Sequence, residues 1–154
     1  MTYLLLKTLH IIGAAVLLGT GAGIAFFMCM AHAACDLRAL QVTARHVVLA
    51  DWVFTAPAVL LQPVTGYLLI RELGWPMHGA WLDTVLSLYA LVGACWIPVV
   101  FIQHRLAREA AVAISFDTLG DGYWRLYRLW FALGIPAFTG VLALVWLMVA
   151  KPWL

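Results

Sequence analysis

Charged residues are scarce in this sequence. They make up 10% of its 154 residues, whereas hydrophobic residues make up 66%. A soluble domain has about a quarter charged and about a half apolar residues, so this composition excludes an ordinary soluble domain. The formal net charge of +2 is too small to suggest a nucleic-acid-binding surface. The composition therefore predicts an integral membrane protein that has the lipid bilayer, and no nucleic acid, as its partner.

Cysteines are also few, and no disulfide framework is indicated. The sequence has three cysteines, and Cys95 lies in the middle of an apolar stretch. Cys29 and Cys35 flank His32 at three-residue intervals. On one helix these three side chains would spread over about 120°, which is too wide to close a metal site without another segment. We interpret them as packing residues near a membrane interface and expect reduced thiols.

Four apolar stretches are long enough to cross a bilayer, which requires about 20 residues. They are residues 4–30, 47–70, 81–102 and 126–150. The first stretch has no basic segment before it and is longer than the apolar core of a secretory signal, so we expect it to remain uncleaved. The connections are too short for a further domain, although residues 109–116 have the pattern of an interfacial helix. The predicted fold is all-α, an integral membrane four-helix bundle that forms a single transmembrane domain over residues 1–154.

Basic residues are unevenly distributed between the two sides of this predicted bundle. Six Lys and Arg lie in or beside the first and third loops, and only Lys7, Arg71 and Lys151 lie on the other side. Because basic residues favour the cytoplasmic side, we predict a multi-pass protein of the bacterial inner membrane with both termini in the periplasm. Most tryptophans fall at the two predicted interfaces, as indole rings prefer, and Trp96 lies deep in a span.

His10 is the clearest candidate for a functional residue within the spans. It lies about 10 Å along the first helix, too deep for its short side chain to reach the headgroups, whereas Lys7 can extend outward. Small residues, including Gly13 and Gly21, follow on the same stripe and leave room for a flat group. Two interpretations remain open. His10 is a ligand or proton-handling group, or it is a hydrogen-bonded packing residue in a tight helix pair.

A second haem ligand would have to lie at the same depth on another helix. Met148 in the fourth span meets this requirement, and His plus Met is a known axial pair. Methionine is also an ordinary residue for filling a core, which is the alternative interpretation. His78, just before the third span, is the competing candidate on the same side.

The second span is interrupted by two prolines. Pro57 and Pro63 lack the N–H that would bond the carbonyls of Val53 and Val59, and each of these carbonyls needs a partner inside the bundle. Together with Gln62 and neighbouring threonines they predict one wall of a polar pocket. Kinking of the helix is the other explanation of the prolines.

Asp51 lies at the start of the second span. A carboxylate near a helix N-terminus is stabilised by the helix dipole, and we expect it to pair with Arg45 or Arg105. A role in a proton relay is the alternative.

Two segments carry a resemblance to known families. Tyr3-Leu-Leu-Leu-Lys-Thr-Leu-His-Ile-Ile-Gly13 resembles the opening helix of the HemJ-type protoporphyrinogen oxidases and, more loosely, of CopD-like copper-resistance membrane proteins. Leu147-Met-Val-Ala-Lys-Pro152 resembles the closing helix of the same group. Nearly the whole chain resembles a small bacterial membrane family of unknown function. The resemblance implies a haem-associated protein, with His10 as the haem contact and weaker roles for Lys7 and Lys151. Residues 20–27 lack the Leu-Pro-Arg segment of HemJ-like first helices.

The leading hypothesis is a small inner-membrane protein that binds haem b and has a redox role near the outer face, as a HemJ-like oxidoreductase would. The expected cofactor-binding residues are His10 and Met148 as iron ligands, with His78, Lys7, Lys151 and Gln62. A homo-oligomer or a membrane redox partner is expected. The alternative is a non-enzymatic membrane subunit or assembly factor whose small-residue stripes bind partner helices. CopD-like copper handling by His and Met side chains is a third hypothesis.

Overall fold

Four long helices make up the fold. The computed structural model describes residues 1–77 and 79–151. The helices are α1 (Thr2–Ala33), α2 (Leu37–Leu73), α3 (Ala80–Val112) and α4 (Asp121–Ala150), and each is long and apolar enough to cross a membrane. The residues described form no β-strand. The prediction of an all-α membrane bundle of four helices is confirmed. His78, one of the predicted ligands, lies outside the described residues.

The connections between helices define two ends of the bundle. We call the end where α1 begins, α2 ends, α3 begins and α4 ends the terminal end, and the opposite end the loop end. At the loop end α2 begins after Asp36, whose side chain accepts hydrogen bonds from the backbone N–H groups of Arg38 and Ala39 at 2.8 and 3.3 Å. At the terminal end α2 stops at Gly74, which has a φ of 65° and so closes the helix in the left-handed conformation.

The helices extend further at the loop end than the hydropathy pattern predicts. α2 begins at Leu37 and not at residue 47, and α3 continues to Val112 and not to residue 102. The predicted interfacial helix over residues 109–116 is wrong, because α3 includes its first half and Phe116–Thr118 forms a short 3-10 turn. At 1.5 Å per residue α3 is about 50 Å long, whereas the hydrocarbon core is about 30 Å thick. α3 is therefore longer than the hydrocarbon core is thick.

The larger hydrophobic core lies at the loop end, where the extended helix ends pack on one another. The start of α2 has a clear amphipathic pattern, and it buries Leu40, Ala44 and Val47 at intervals of one helical turn. These side chains join Leu106 of α3 and Tyr123 of α4 in one cluster. Nearer the middle of the spans large apolar side chains face outward, as lipid contact requires. A smaller cluster at the terminal end consists of Trp81, Leu82, Val85 and Leu147.

α2 is irregular where its sequence contains prolines. Asp51–Thr55 form a π-helical turn, in which the N–H of Ala56 donates to the carbonyl of Asp51 five residues earlier. Further on, Pro63 cannot donate to the carbonyl of Val59, and the hydroxyl of Tyr89 on α3 donates to it at 2.5 Å. The prediction that this carbonyl finds a partner inside the bundle is confirmed.

Candidate functional site

The polar residues predicted around His10 meet where α1 crosses α2. Nδ1 of His10 lies 2.8 Å from the hydroxyl oxygen of Thr65. The side-chain amide of Gln62 donates to the backbone carbonyl of His10 at 2.9 Å. Gln62 and Thr65 are buried, and His10 is half-buried. Thus the structure brings two of the predicted site residues, His10 and Gln62, together with Thr65.

Glycine makes this close crossing feasible. A Cβ atom placed on Gly13 would lie 2.6 Å from Nε2 of Gln62, closer than Cβ atoms pack in proteins. A Cβ atom on Gly66 would lie 3.5 Å from Cε1 of His10, which is ordinary contact. Small residues that let backbones approach, with polar side chains bonded across the gap, are typical of helix pairs in membranes. Gly13 is therefore needed for the position that Gln62 takes.

The hydrogen bonds of Thr65 indicate which ring nitrogen of His10 carries the proton. The Thr65 hydroxyl lies 2.7 Å from the carbonyl oxygen of Leu61 and 3.2 Å from that of Gln62. Carbonyls only accept, so the single hydroxyl proton of Thr65 is directed to them. The Thr65 oxygen is then the acceptor for Nδ1–H of His10. The lone pair of His10 is left on Nε2, which has no hydrogen-bond partner within the part of the chain that the structure describes.

The other predicted site residues at the terminal end have different neighbours. Met148 is half-buried and packs against the smaller apolar cluster. Nζ of Lys7 lies 5.6 Å from the centre of the Tyr3 ring, and Nζ of Lys151 lies 4.6 Å from the centre of the Trp75 ring. These are cation–π contacts at the terminal end of the bundle.

Met148 nevertheless lies at a depth similar to that of His10. α1 and α4 meet at Gly21, where a Cβ atom would lie 3.7 Å from Cδ2 of Phe138. From this common level His10 is displaced towards the terminal end by about 16 Å and Met148 by about 15 Å, at 1.5 Å per residue. Counted by helical rise, the two residues therefore lie at similar distances from this contact, although different neighbours surround them.

A second buried polar cluster lies nearer the loop end, around Asp51. This carboxylate is 4% exposed. The indole N–H of Trp96 donates to Oδ1 at 3.5 Å. With the Gln103 amide oriented so that both of its ends are satisfied, its nitrogen donates to Oδ2 of Asp51 at 2.6 Å and its oxygen accepts from the indole N–H of Trp130 at 3.2 Å. The cluster joins α2, α3 and α4.

The predicted ion pair of Asp51 with Arg45 or Arg105 is wrong. Arg105 lies 3.9 Å from Glu109 instead, and Arg45 is exposed. No cationic side chain is within ion-pair distance of Asp51 among residues 1–77 and 79–151. The physical reason is that α2 begins at Leu37, so Asp51 lies in the middle of a helix and not at its N-terminus.

His32 forms a third buried group, which the sequence reasoning treated only as packing. Its Nδ1 lies 2.7 Å from the carbonyl oxygen of Met28, so this nitrogen is the donor, and Nε2 accepts from the hydroxyl of Tyr123 at 2.9 Å. The ring stacks on Tyr127 at 3.8 Å between centroids. A packing role agrees with this arrangement. The sequence signal for two of these partners was the four-residue spacing of Tyr123 and Tyr127, which places them on one face of α4.

The comparisons with known proteins identify a family. Residues 4–152 match the model of the family described as predicted integral membrane protein (DUF2269). The chain belongs to this family. Neither the curated proteins nor the solved structures include a match to it. The family description agrees with the four membrane-crossing helices and gives no activity, so a function has to be argued from the buried polar groups.

Proposed function

We propose that this membrane protein binds haem b through His10 and has a redox role in the bilayer. The observation that carries the proposal is the hydrogen bond from Nδ1 of His10 to Thr65, which leaves the lone pair on Nε2. A histidine that ligates a metal almost always donates its other ring N–H to an acceptor, because this bond fixes the tautomer and the ring orientation. Histidine held in this way is a common axial ligand of haem iron.

The surroundings of His10 fit such a group. The ring is half-buried where α1 packs against α2, so part of it stays accessible to an apolar macrocycle. Haem also carries two propionate carboxylates. Lys7, one helical turn closer to the terminal end, is exposed and has the charge to pair with a carboxylate. Lys151 offers a second ammonium group at the same end. Bound haem would supply a one-electron couple.

Met148 is the proposed second axial ligand. Its depth matches that of His10, and its thioether lies on α4, a different helix from the histidine. His78 stays a prediction for this role. The HemJ-like and CopD-like resemblance of the opening and closing helices supports a site shared by α1 and α4, because the resembling segments include His10 and Met148.

Visible spectroscopy of the full-length protein, purified in detergent after haem supplementation, tests the proposal. We expect a Soret band with reducible α and β bands, and we expect His10→Ala to remove them. His46→Ala is the matched control, since this histidine is exposed and lies at the loop end. Thr65→Val should retain the Soret band but raise the reduction potential, because loss of the acceptor makes the imidazole less basic, whereas Thr65→Ser should not.

Other outcomes would overturn haem binding. Protein that stays colourless after supplementation contradicts the proposal. Stoichiometric copper without a Soret band would favour CopD-like metal handling. Co-purification of a defined membrane partner with colourless protein would favour the docking subunit. One observation agrees with that last alternative: Cβ atoms on Gly19 and Gly23 would meet nothing within 4 Å, so this Gly-x-x-x-Gly pair packs against no neighbour in the described chain.

A further inference from the structure

Asp51 is a carboxylate buried within a membrane helix, away from the site proposed for haem. It lies about 6 Å, or one turn, inside the apolar stretch that begins at Val47, at 1.5 Å per residue. Placing an ion in such surroundings is costly unless the charge is paired or strongly hydrogen-bonded. As described above, no cationic side chain among the described residues pairs with it. Among the described residues, the groups hydrogen-bonded to the Asp51 carboxylate are the N–H donors of Trp96 and Gln103.

Gln103 and Trp96 supply these donors, and Gln103 is held in place by a second contact. Gln103 is 2% exposed, and its amide nitrogen is held towards Asp51 because its oxygen accepts from Trp130. The indole of Trp96 approaches the other carboxylate oxygen. Because the Gln103 oxygen is turned away, the groups directed at the carboxylate are N–H donors. A metal cation would instead require several oxygen ligands directed at one point, so this donor set does not suit one.

Thr55 supplies the remaining polar group of this cluster. It is 7% exposed, and its hydroxyl is buried without a hydrogen-bond partner in the described structure. Thr55 follows Asp51 by one turn at the end of the π-helical turn, so both side chains lie on a similar face of α2. A hydroxyl can both donate and accept. It can therefore donate to Asp51 when the carboxylate is ionised and accept from Asp51 when the group is a carboxylic acid.

From this arrangement we infer that Asp51 is a reversible proton-binding site, with Thr55 as its hydrogen-bond partner in both protonation states. On binding, one proton from the aqueous phase at the loop end forms an O–H bond on the Asp51 carboxylate. The new O–H donates to the Thr55 oxygen. On release the proton returns to water and the Thr55 hydroxyl turns to donate. No electron is transferred in either direction, so the site serves proton uptake and release.

The other titratable groups near the cluster are engaged elsewhere. His104 on α3 is next to Gln103; its Nδ1 lies 2.9 Å from the carbonyl oxygen of Val100, and its Nε2 accepts from the indole of Trp52 at 3.3 Å. Both ring nitrogens of His104 therefore have partners other than Asp51. The hydrogen bonds of His32 on α1 are of the same type, as described above. On α2 Arg45 and His46 are exposed, and on α3 Arg105 is close to Glu109.

Infrared difference spectroscopy of the full-length protein across a pH titration tests this inference. The protonated acid has a C=O stretch that the carboxylate lacks, so we expect a band that appears as the pH falls. Asp51→Asn should remove this band. Asp83→Asn is the matched control, because Asp83 is an exposed carboxylate in the first turn of α3. Thr55→Val should move the titration midpoint, and Thr55→Ser, which keeps the hydroxyl, should restore it.

The contrary results are equally specific. A band that persists in Asp51→Asn, or a Thr55→Val protein with the same midpoint as wild type, would overturn the inference. The inference would also be overturned if no pH-dependent band exists and the protein binds radioactive sodium stoichiometrically in a way that Asp51→Asn abolishes. That result would identify Asp51 as part of a cation site. If Asp51→Asn does not fold, selective ¹³C labelling of aspartate carboxyl carbons in the wild-type and Thr55→Val proteins gives the same decision. The titration does not depend on haem and can be repeated in His10→Ala.

Discussion

Replacement of Gly13 by alanine tests the crossing of α1 and α2 directly. The new methyl group would lie 2.6 Å from Nε2 of Gln62 and 3.5 Å from a methyl group of Leu61. Since Gln62 is buried, it cannot move away without leaving its position against α1. The expected consequence is loss of the hydrogen bond from Gln62 to the backbone carbonyl of His10.

The size of the effect follows from three contributions. An interhelical hydrogen bond in a membrane protein contributes about 0.6 kcal/mol on average and at most about 1.7 kcal/mol. Overpacking by a methyl group costs about 1–3 kcal/mol, at the lower end here because the atom met is the tip of a flexible side chain. Alanine regains about 1 kcal/mol over glycine through helix propensity. We therefore expect Gly13→Ala to lower the free energy of unfolding by about 1–2 kcal/mol, a factor of roughly 5–30 in the unfolding equilibrium.

Reversible unfolding in mixed micelles with increasing SDS, followed by circular dichroism, measures this change. Gly19→Ala on the same helix is the matched control, because its Cβ would meet nothing within 4 Å. It should be neutral or slightly stabilising. In a Gln62→Ala background the clash is absent, so Gly13→Ala should no longer destabilise. The reasoning is refuted if Gly13→Ala unfolds like Gly19→Ala, or if it destabilises equally in the Gln62→Ala background.

Three further substitutions probe contacts between other helices in the same unfolding assay. Tyr89→Phe leaves the Val59 carbonyl without its donor and should lower the free energy of unfolding by about 1 kcal/mol. Unchanged stability would show that another group bonds this carbonyl. Gly140→Ala places a Cβ atom 2.5 Å from a methyl group of Val92 and should lower the free energy of unfolding by about 1–3 kcal/mol. Stability should recover when Val92→Ala is added, and a double variant that stays destabilised would contradict the assigned contact. Tyr123→Phe removes the hydroxyl that donates to His32 and should lower the free energy of unfolding by about 1 kcal/mol. Stability equal to that of wild type would show that this hydrogen bond does not stabilise the core at the loop end.

The sequence was sufficient to predict the fold class and the number of helices, because apolar runs of spanning length carry that information directly. It was insufficient for the helix ends at the loop end. There, Leu37–Ala50 and residues 103–112 contain polar and charged residues, which lower the mean hydropathy although the backbone stays helical. The amphipathic spacing of Leu40, Ala44 and Val47 was the available signal, and hydropathy averaging removes it.

The sequence identified the buried polar residues but not the side chains that they bond. His10, Gln62 and Asp51 stand out because polar side chains are costly within a span. Their partners depend on which helices are neighbours and on helix rotation, which one sequence does not determine. The expected partners of Asp51 were arginines near it in sequence or in loop position, whereas the observed partners are Trp96 and Gln103 on α3.

α2 contributes to both polar clusters, and its composition explains why. Between lipid-embedded helices the hydrophobic effect gives little attraction, so close packing and polar contacts must hold them together. α2 supplies Gln62 and Thr65 to α1 near the terminal end, and Asp51 to α3 near the loop end. The π-helical turn begins at Asp51 and, together with Pro57, separates this residue from Gln62 and Thr65, and it changes the rotation of one half of α2 relative to the other. The groups that hold Asp51 and those that hold His10 therefore lie on one helix, and each half of α2 is bonded to a different neighbouring helix.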